Sequence, residues 1–76
     1  MPELDDFDRI TFNPAVMGGK ACIRGMRITV GLIVSLVAGG AASADILRDY
    51  PDLEAEDIRQ ALTYAAWLVR EDVLPT

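Results

Sequence analysis

Lys20, Arg24 and Arg27 are the residues of this sequence whose type and spacing best suit binding chemistry. They are three of its seven basic residues, and three of its six glycines lie in the same stretch, residues 18–27. Basic side chains on glycine-containing loops contact phosphate groups or pair with carboxylates. Both roles stay open here. The spacing Gly-x-x-x-x-Gly-Lys-[Ser/Thr] is absent, which excludes a nucleotide-binding phosphate loop.

Catalytic and metal-binding chemistry finds little support in the composition. The sequence has no histidine and one cysteine, Cys22, so neither a zinc ligand set nor a nucleophile with a histidine base can be assembled. We expect Cys22 to be a small apolar side chain in a strand. The carboxylates fall in helix caps and on acidic faces, where structural roles are usual. The sequence therefore predicts a protein that is not an enzyme and has no cofactor and no metal.

Charge is distributed unevenly along the chain, whose net charge is −5. Residues 1–8 carry four acids and no base, and residues 9–44 carry four bases and no acid. Residues 45–76 carry eight acids and three arginines. An acidic chain is a poor default ligand for nucleic acid. The basic middle segment could still supply a local patch, or dock on an acidic partner.

Length and hydropathy predict one small domain with a partner. Seventy-six residues make a thin core, yet 51% of them are hydrophobic and the mean hydropathy is +0.23. Some apolar surface is therefore expected to lie against another chain, and a homodimer is the expected assembly. No apolar window has the roughly 18 residues of a membrane span. With an acidic N-terminus in place of a basic leader, this predicts a cytoplasmic protein with no membrane contact.

The elements that would position the basic residues are a short β element and three helices. Residues 10–12 and 21–23 are predicted as strands, with residues 13–14 and 25 in turns. Thr29 is predicted to cap a helix over 30–38 that a double glycine ends, with a strand over 28–34 as the competing interpretation. Ser43 is predicted to cap a helix over 44–50, and a third helix is predicted over 55–73. The domain then divides into a mobile acidic lead-in (1–8), a β element (9–28) and a three-helix unit (29–74).

Two short helices and a longer third one are typical of helix-turn-helix proteins. The predicted apolar face of the third helix is Ile58, Ala61, Leu62, Ala65, Leu68 and Val69. Its predicted solvent face offers base or phosphate contacts through Arg59, Gln60, Thr63 and Arg70. Glu54, Glu56 and Asp57 at its start would repel phosphates. From this helix alone, a plain structural three-helix unit is favoured over a DNA reader.

Aromatic and aliphatic side chains on the β element and the third helix are the candidates for a partner or dimer interface. Tyr64 and Trp67 form an aromatic edge beside the apolar face, and Trp67 is the expected hot spot. Core packing is the ordinary alternative. The full candidate set is Ile10, Phe12, Tyr64, Trp67 and Leu68.

The motifs resemble a known family. Ile10 to Asn13 is followed by the run Gly19-Lys20-Ala21-Cys22-Ile23-Arg24-Gly25-Met26-Arg27-Ile28, and later by Ile46 to Pro51, Leu53, Asp57-Ile58, Ala61-Leu62 and Tyr64-Ala65. This pattern looks like the "domain of unknown function 433" family over about residues 9–70. Two positions depart from it: Ala21 stands where the family usually has proline, and Met26 where it has threonine.

The resemblance implies a mainly α fold, a short N-terminal β-hairpin before a three-helix, homeodomain-like helix-turn-helix bundle. It also implies a VapB-type antitoxin that binds a PIN-like ribonuclease toxin and represses its own operon by binding operator DNA as a dimer. Within the motif, Gly19 and Gly25 are expected to set loop geometry. Arg24 and Arg27 are expected either to pair with Asp49 and its neighbours or to face a partner.

Three hypotheses therefore stand for the function. The first is the antitoxin-like binding protein that the resemblance implies. The second is a stand-alone DNA-binding regulator using Lys20, Arg24, Arg27 and the solvent face of the third helix. The third is an oligomeric adaptor domain that binds only protein.

Overall fold

A computed structural model, which describes residues 7–70, contains a two-stranded antiparallel sheet followed by three helices. The elements are β1 (Ile10–Thr11), β2 (Cys22–Ile23), α1 (Val30–Ala38), α2 (Ser43–Asp49) and α3 (Ala55–Leu68), with a 3-10 turn at Met17–Gly19 between the strands. Ile10 lies opposite Ile23, and Thr11 opposite Cys22. The mainly α class with a short hairpin ahead of three helices is confirmed.

Strand β2 is hydrogen-bonded along both of its edges. One edge pairs with β1, and the other pairs with the chain that enters α1. There the Ile23 amide donates to the Ile28 carbonyl at 2.9 Å, and the Val30 amide donates to the Ala21 carbonyl at 3.0 Å. The sheet and the helical body are therefore one continuous unit.

Local signals explain where each helix begins. Thr29 caps α1 as predicted, because its hydroxyl accepts a hydrogen bond from the Leu32 amide at 3.0 Å. The prediction that Ser43 caps α2 is wrong. Ala42 occupies the cap position, and its amide donates to the Asp45 carboxylate at 3.2 Å. The carboxylate three residues into the helix thus replaces the expected hydroxyl cap.

The core lies where the sheet meets all three helices. It is built from aliphatic and aromatic side chains of every element: Phe7, Ile10, Ile23, Val30, Ile33, Ile46, Leu53, Ile58, Ala61 and Tyr64. Phe7 is only 4% exposed, so the predicted mobile lead-in does not extend to it. Asp8 is exposed but accepts a hydrogen bond from Gln60, and residues 1–6 of that segment lie outside the described residues.

The buried face of α3 differs from the predicted one in two respects. Leu68 and Val69 were assigned to the buried face, but they are 56% and 75% exposed. Gln60 is predicted on the solvent face and Tyr64 beside the apolar face, but both are buried, because residues 7–9 pack on their side of the helix. Helix α3 ends at Leu68, short of the predicted 73, and residues 71–73 lie outside the described part.

Two absences hold for the part of the chain that the structure describes. Between residues 7 and 70, no helix has the length and hydropathy needed to cross a membrane. Within the same range, no three histidine, cysteine or acidic side chains are grouped where they could hold a metal ion.

Candidate functional site

A buried carboxylate, Asp57, joins the β element to α3. Its side chain is 0% exposed and accepts four hydrogen bonds. Oδ1 accepts from Arg9 Nη1 at 2.9 Å and from Arg24 Nε at 3.1 Å. Oδ2 accepts from Arg24 Nη2 at 2.8 Å and from the Glu54 amide at 2.8 Å. Four donors saturate a carboxylate, so this group serves as a structural centre and has no site left for a ligand.

Arg24 lies in the turn after β2 and donates hydrogen bonds to this carboxylate. Arg24 and Gly25 both have positive φ, 47° and 73°, and the Met26 amide donates to the Ile23 carbonyl at 2.8 Å to close the turn. Two successive residues at positive φ are what a type I′ turn requires. Arg24 Nη2 also donates to the Asp52 carbonyl at 2.7 Å. Arg24 therefore attaches the hairpin to α3. Pairing with a carboxylate is one of its two predicted roles, but the carboxylate is that of Asp57 and not that of Asp49.

Glycine at position 25 is required by backbone conformation and not by space. A Cβ added there would meet no heavy atom within 4 Å, yet φ is +73°. We expect Gly25→Ala to lower the free energy of unfolding by about 1 kcal/mol, because an L-residue is disfavoured in this conformation.

Gly31, in α1, is the matched control, since its Cβ would make an ordinary 3.9 Å contact. Gly31→Ala should stabilise the chain by about 0.5–1 kcal/mol in urea titrations. A loss of stability in both variants would contradict the conformational explanation.

The environment of Asp57 shifts its pKa. Burial raises the pKa, but the hydrogen bonds from Arg24 and Arg9 outweigh it and lower the pKa from 3.8 to about 2. The group is therefore ionised at any pH above about 4. It cannot act as a proton donor at neutral pH.

This pKa predicts how stability changes in acid. Because the folded pKa lies below the unfolded one, Asp57 contributes its full stabilisation above about pH 4, and that contribution is lost as the pH falls towards 2. The loss is on the order of 2 kcal/mol. Urea titrations at several pH values should show it. An Asp57→Asn variant should lack this component of the pH dependence, and an unchanged dependence in that variant would contradict the assignment.

Several residues proposed to read DNA are engaged within the molecule. Arg59 Nε donates to the Glu56 carboxylate at 2.8 Å, and the Thr63 hydroxyl donates to the Arg59 carbonyl at 2.8 Å. Gln60 is 4% exposed; its Oε1 accepts from the Arg9 amide at 2.7 Å and its Nε2 donates to Asp8 at 2.9 Å. The prediction that Gln60 faces solvent is therefore wrong.

Three basic residues form no ion pair with any of residues 7–70: Lys20, Arg27 and Arg70. The guanidinium of Arg27 lies 3.9 Å from the Met17 sulfur. Arg70 donates to the Trp67 carbonyl at 2.6 Å and stacks over its ring at 4.8 Å. The described part thus pairs Arg9, Arg24, Arg48 and Arg59 with carboxylates and leaves a second set of cations on the surface.

The aromatic candidates for an interface form one cluster, in which Tyr64 and Trp67 of α3 meet aromatic rings from the start of the chain. The ring of Tyr64 lies 5.2 Å from Phe7, 6.0 Å from Phe12 and 5.9 Å from Trp67. Tyr64 and Ile10 are buried in the core, whereas Phe12 is 50% exposed and Trp67 is partly exposed. The structure therefore divides the predicted interface set into core residues and surface residues.

An apolar groove lies beside this cluster, between α1 and the last turns of α3. Its volume is about 510 Å³. Lys20 is a charged residue of its lining. The other lining residues are mostly small or aliphatic: Ala21, Thr29, Val30, Gly31, Val34, Ser35, Tyr64, Ala65, Leu68 and Val69. The structure thus brings together Lys20, Tyr64 and Leu68 from the predicted sets, and leaves Arg59 and Gln60 outside the groove.

Sequence reasoning missed two features of this region. Asp57 was placed with the acids at the start of the helix, although its spacing of three from Glu54 is a capping signal that could have identified it. The groove had no sequence signal, because Leu68 and Val69 continue the helical apolar period and so resemble core residues.

Comparisons with known proteins give one consistent result. Residues 10–65 match the family described as "Protein of unknown function (DUF433)". The uncharacterized protein y4eO of Sinorhizobium fredii (strain NBRC 101917 / NGR234) is 38% identical over 56 residues, which cover 74% of this chain and 25% of that protein. This chain therefore matches only a quarter of that curated relative's length.

A solved structure extends the similarity to the fold. The crystal structure of a DUF433 member protein from Anabaena variabilis ATCC 29413 shares 38% identity, with a TM-score of 0.75, over 79% of this chain and 59% of that chain. The family match includes both strands, the turn at Arg24, Asp57 and most of α3. On this evidence, the chain belongs to the DUF433 family.

Proposed function

We propose that this chain is a non-enzymatic, antitoxin-like protein of a type II toxin–antitoxin system that binds a PIN-like ribonuclease toxin. The family resemblance of the Gly19 to Ile28 motif suggests the class of partner. The observation that carries the proposal is the apolar end of α3, where Leu68 and Val69 are 56% and 75% exposed beside an apolar groove. Exposed contiguous apolar surface of this kind is typical of protein-binding sites.

The chemistry of α3 favours protein over DNA as the partner. In a homeodomain-like arrangement, α3 would be the recognition helix, but Glu54 and Glu56 lie at its start and Arg59 is paired with Glu56. Gln60 is buried. Carboxylates near a phosphate backbone oppose binding, and a paired arginine must first lose its carboxylate.

Operator binding by a homodimer is the second candidate role. Lys20, Arg27 and Arg70 favour it, because none is paired with a carboxylate among residues 7–70. Binding through these residues would contact phosphates more than base edges, so it would depend steeply on salt concentration.

Co-expression with the product of the adjacent gene tests the main proposal. The tagged chain should capture that product in a pull-down, form a complex of defined size on sizing, and suppress the growth defect that the product causes alone. A free chain with no captured neighbour and no rescue of growth would contradict the antitoxin assignment.

A low-salt electrophoretic shift with the operon's upstream DNA tests the second role. Salt-dependent binding that is lost in a Lys20→Ala, Arg27→Ala double variant would support an operator contact by these loops. An unchanged shift in that variant would place the contact elsewhere, and no shift at low salt would leave the chain as a protein-only binding module.

A further inference from the structure

The groove between α1 and α3 is lined by apolar side chains from both helices. Val30 and Val34 line one wall, and Ala65, Leu68 and Val69 line the other. Two neighbouring helices with apolar side chains along both walls present grooves into which the ridges of a third helix can pack. Amphipathic helices bind grooves of this kind through anchors at i, i+3, i+4 and i+7.

The charge of the groove lining restricts the occupant further. Among the described residues that line the groove, Lys20 is the charged one, and it pairs with no carboxylate of residues 7–70. An apolar groove with a cation in its lining is complementary to an apolar ridge flanked by acidic residues.

We propose that this groove binds an acidic amphipathic helix of the partner protein, with apolar anchors against Val34, Leu68 and Val69 and a carboxylate at Lys20. The proposal rests on the protein-binding function proposed above and specifies its surface and the chemistry of the bound segment.

A second copy of this chain fits the groove less well. Groove-to-groove packing about a two-fold axis would bring Lys20 of both copies to one interface. No carboxylate among residues 7–70 lines the groove to offset these charges. Like charges facing each other across an interface oppose association, whereas an acidic helix removes this repulsion.

Two synthetic peptides test the charge and the shape together. Each is an amphipathic helix of about 16 residues with leucines at i, i+3, i+4 and i+7, one with glutamates on the flanks and the other with lysines at the same positions. Amide chemical shifts of the chain should change with the acidic peptide at groove residues, and the lysine peptide should bind about tenfold more weakly. No binding of either peptide at about 1 mM would overturn the proposal.

Matched variants separate the groove from general surface effects. Val69→Asp should abolish peptide binding, whereas Ala66→Asp, on an exposed position of α3 that does not line the groove, should not. Lys20→Glu should make the chain bind the lysine peptide more tightly than the acidic one. Arg27→Glu is an equal charge change at an exposed residue outside the groove lining, and with it the acidic peptide should still bind more tightly. Equal effects within either pair would overturn the assignment.

The same variants in the co-expression assay distinguish this proposal from the proposed function. Loss of capture in Val69→Asp but not in Ala66→Asp supports both. Capture that persists in Val69→Asp overturns the groove and leaves the function standing. Acidic-peptide binding in the groove without capture of the neighbour supports the groove and contradicts the antitoxin assignment. A homodimer of the free chain that Val69→Asp alone dissociates would make a second copy the occupant, and so overturn the proposal.

Discussion

Replacing Asp57 by alanine is expected to lower the free energy of unfolding by about 3–5 kcal/mol, because it removes a buried carboxylate and so leaves Arg9 with the exposed Glu54 alone and Arg24 with no carboxylate among residues 7–70. Small domains are stable by about 5–15 kcal/mol in total, so the variant should be close to its folding limit. Its Tm should fall by at least about 12 °C. Thermal and urea unfolding followed by circular dichroism measure both quantities.

The size of this effect follows from the number of elements that one carboxylate joins. Arg9 precedes β1, Arg24 follows β2, and Glu54 is the N-cap residue of α3. The two guanidinium groups and the Glu54 amide donate to a side chain that is 0% exposed. Losing Asp57 therefore removes the capping carboxylate of α3 and its ion pairs with the residues beside both strands at once.

A surface pair provides the control. Asp45 accepts from Arg48 at 3.2 Å on α2, but their side chains are 48% and 68% exposed. Solvent screens such a pair, so Asp45→Ala should change Tm little once the lost cap contact to the Ala42 amide is allowed for. A similar loss in the Asp45 and Asp57 variants would show that burial of the carboxylate does not determine the effect.

The elements of the fold could largely be predicted from local signals. Thr29 caps α1 and a glycine pair ends it, so both ends of that helix were predicted correctly. Pro51 ends α2 because the residue before a proline, here Tyr50, disfavours the helical conformation. Each of these signals depends only on residues that are close together in the sequence, so it can be recognised without the structure.

The faces of α3 could not be predicted in the same way. The spacing of the hydrophobic residues assigns Leu68 and Val69 to the interior. This spacing does not reveal which other elements of the fold pack against each turn of the helix. Gln60 is buried because Asp8 and the Arg9 amide, more than fifty residues away in sequence, satisfy its side chain. Burial that depends on such distant partners has no local signal.

The three basic residues of the motif also show that a local pattern does not reveal distant partners. Lys20, Arg24 and Arg27 look equivalent as a basic cluster in the sequence. In the structure, Arg24 is bonded to Asp57, Lys20 lines the groove, and Arg27 forms no ion pair within residues 7–70. Arg24 is also the one of the three that has positive φ, and it lies in the turn next to the strand whose side chains pack on α3.

Replacing Ile23 by alanine is the second substitution expected to have a large effect, about 2–5 kcal/mol of destabilisation. Ile23 is 0% exposed, although it belongs to a strand of only two residues. The cost of such a cavity depends on how far the surroundings can collapse into it. Here the backbone around residue 23 cannot move easily, because the Ile23 amide bonds to Ile28 and the Arg24 amide bonds to Arg9, at 2.9 and 2.8 Å.

A graded series tests this explanation. Ile23→Val should cost about 0.5–1.5 kcal/mol, and Ile23→Ala several times more, in urea titrations at neutral pH. Phe12→Ala removes a larger side chain from the same β element, but that side chain is 50% exposed, so its effect should be smaller than that of Ile23→Ala. The reverse order would mean that the exposed aromatic surface, and not the buried strand, holds the β element on the helices. The expected order therefore also tests whether Phe12 is available to a partner. A Phe12 side chain that contributes little to the stability of the isolated fold is free to contribute to binding.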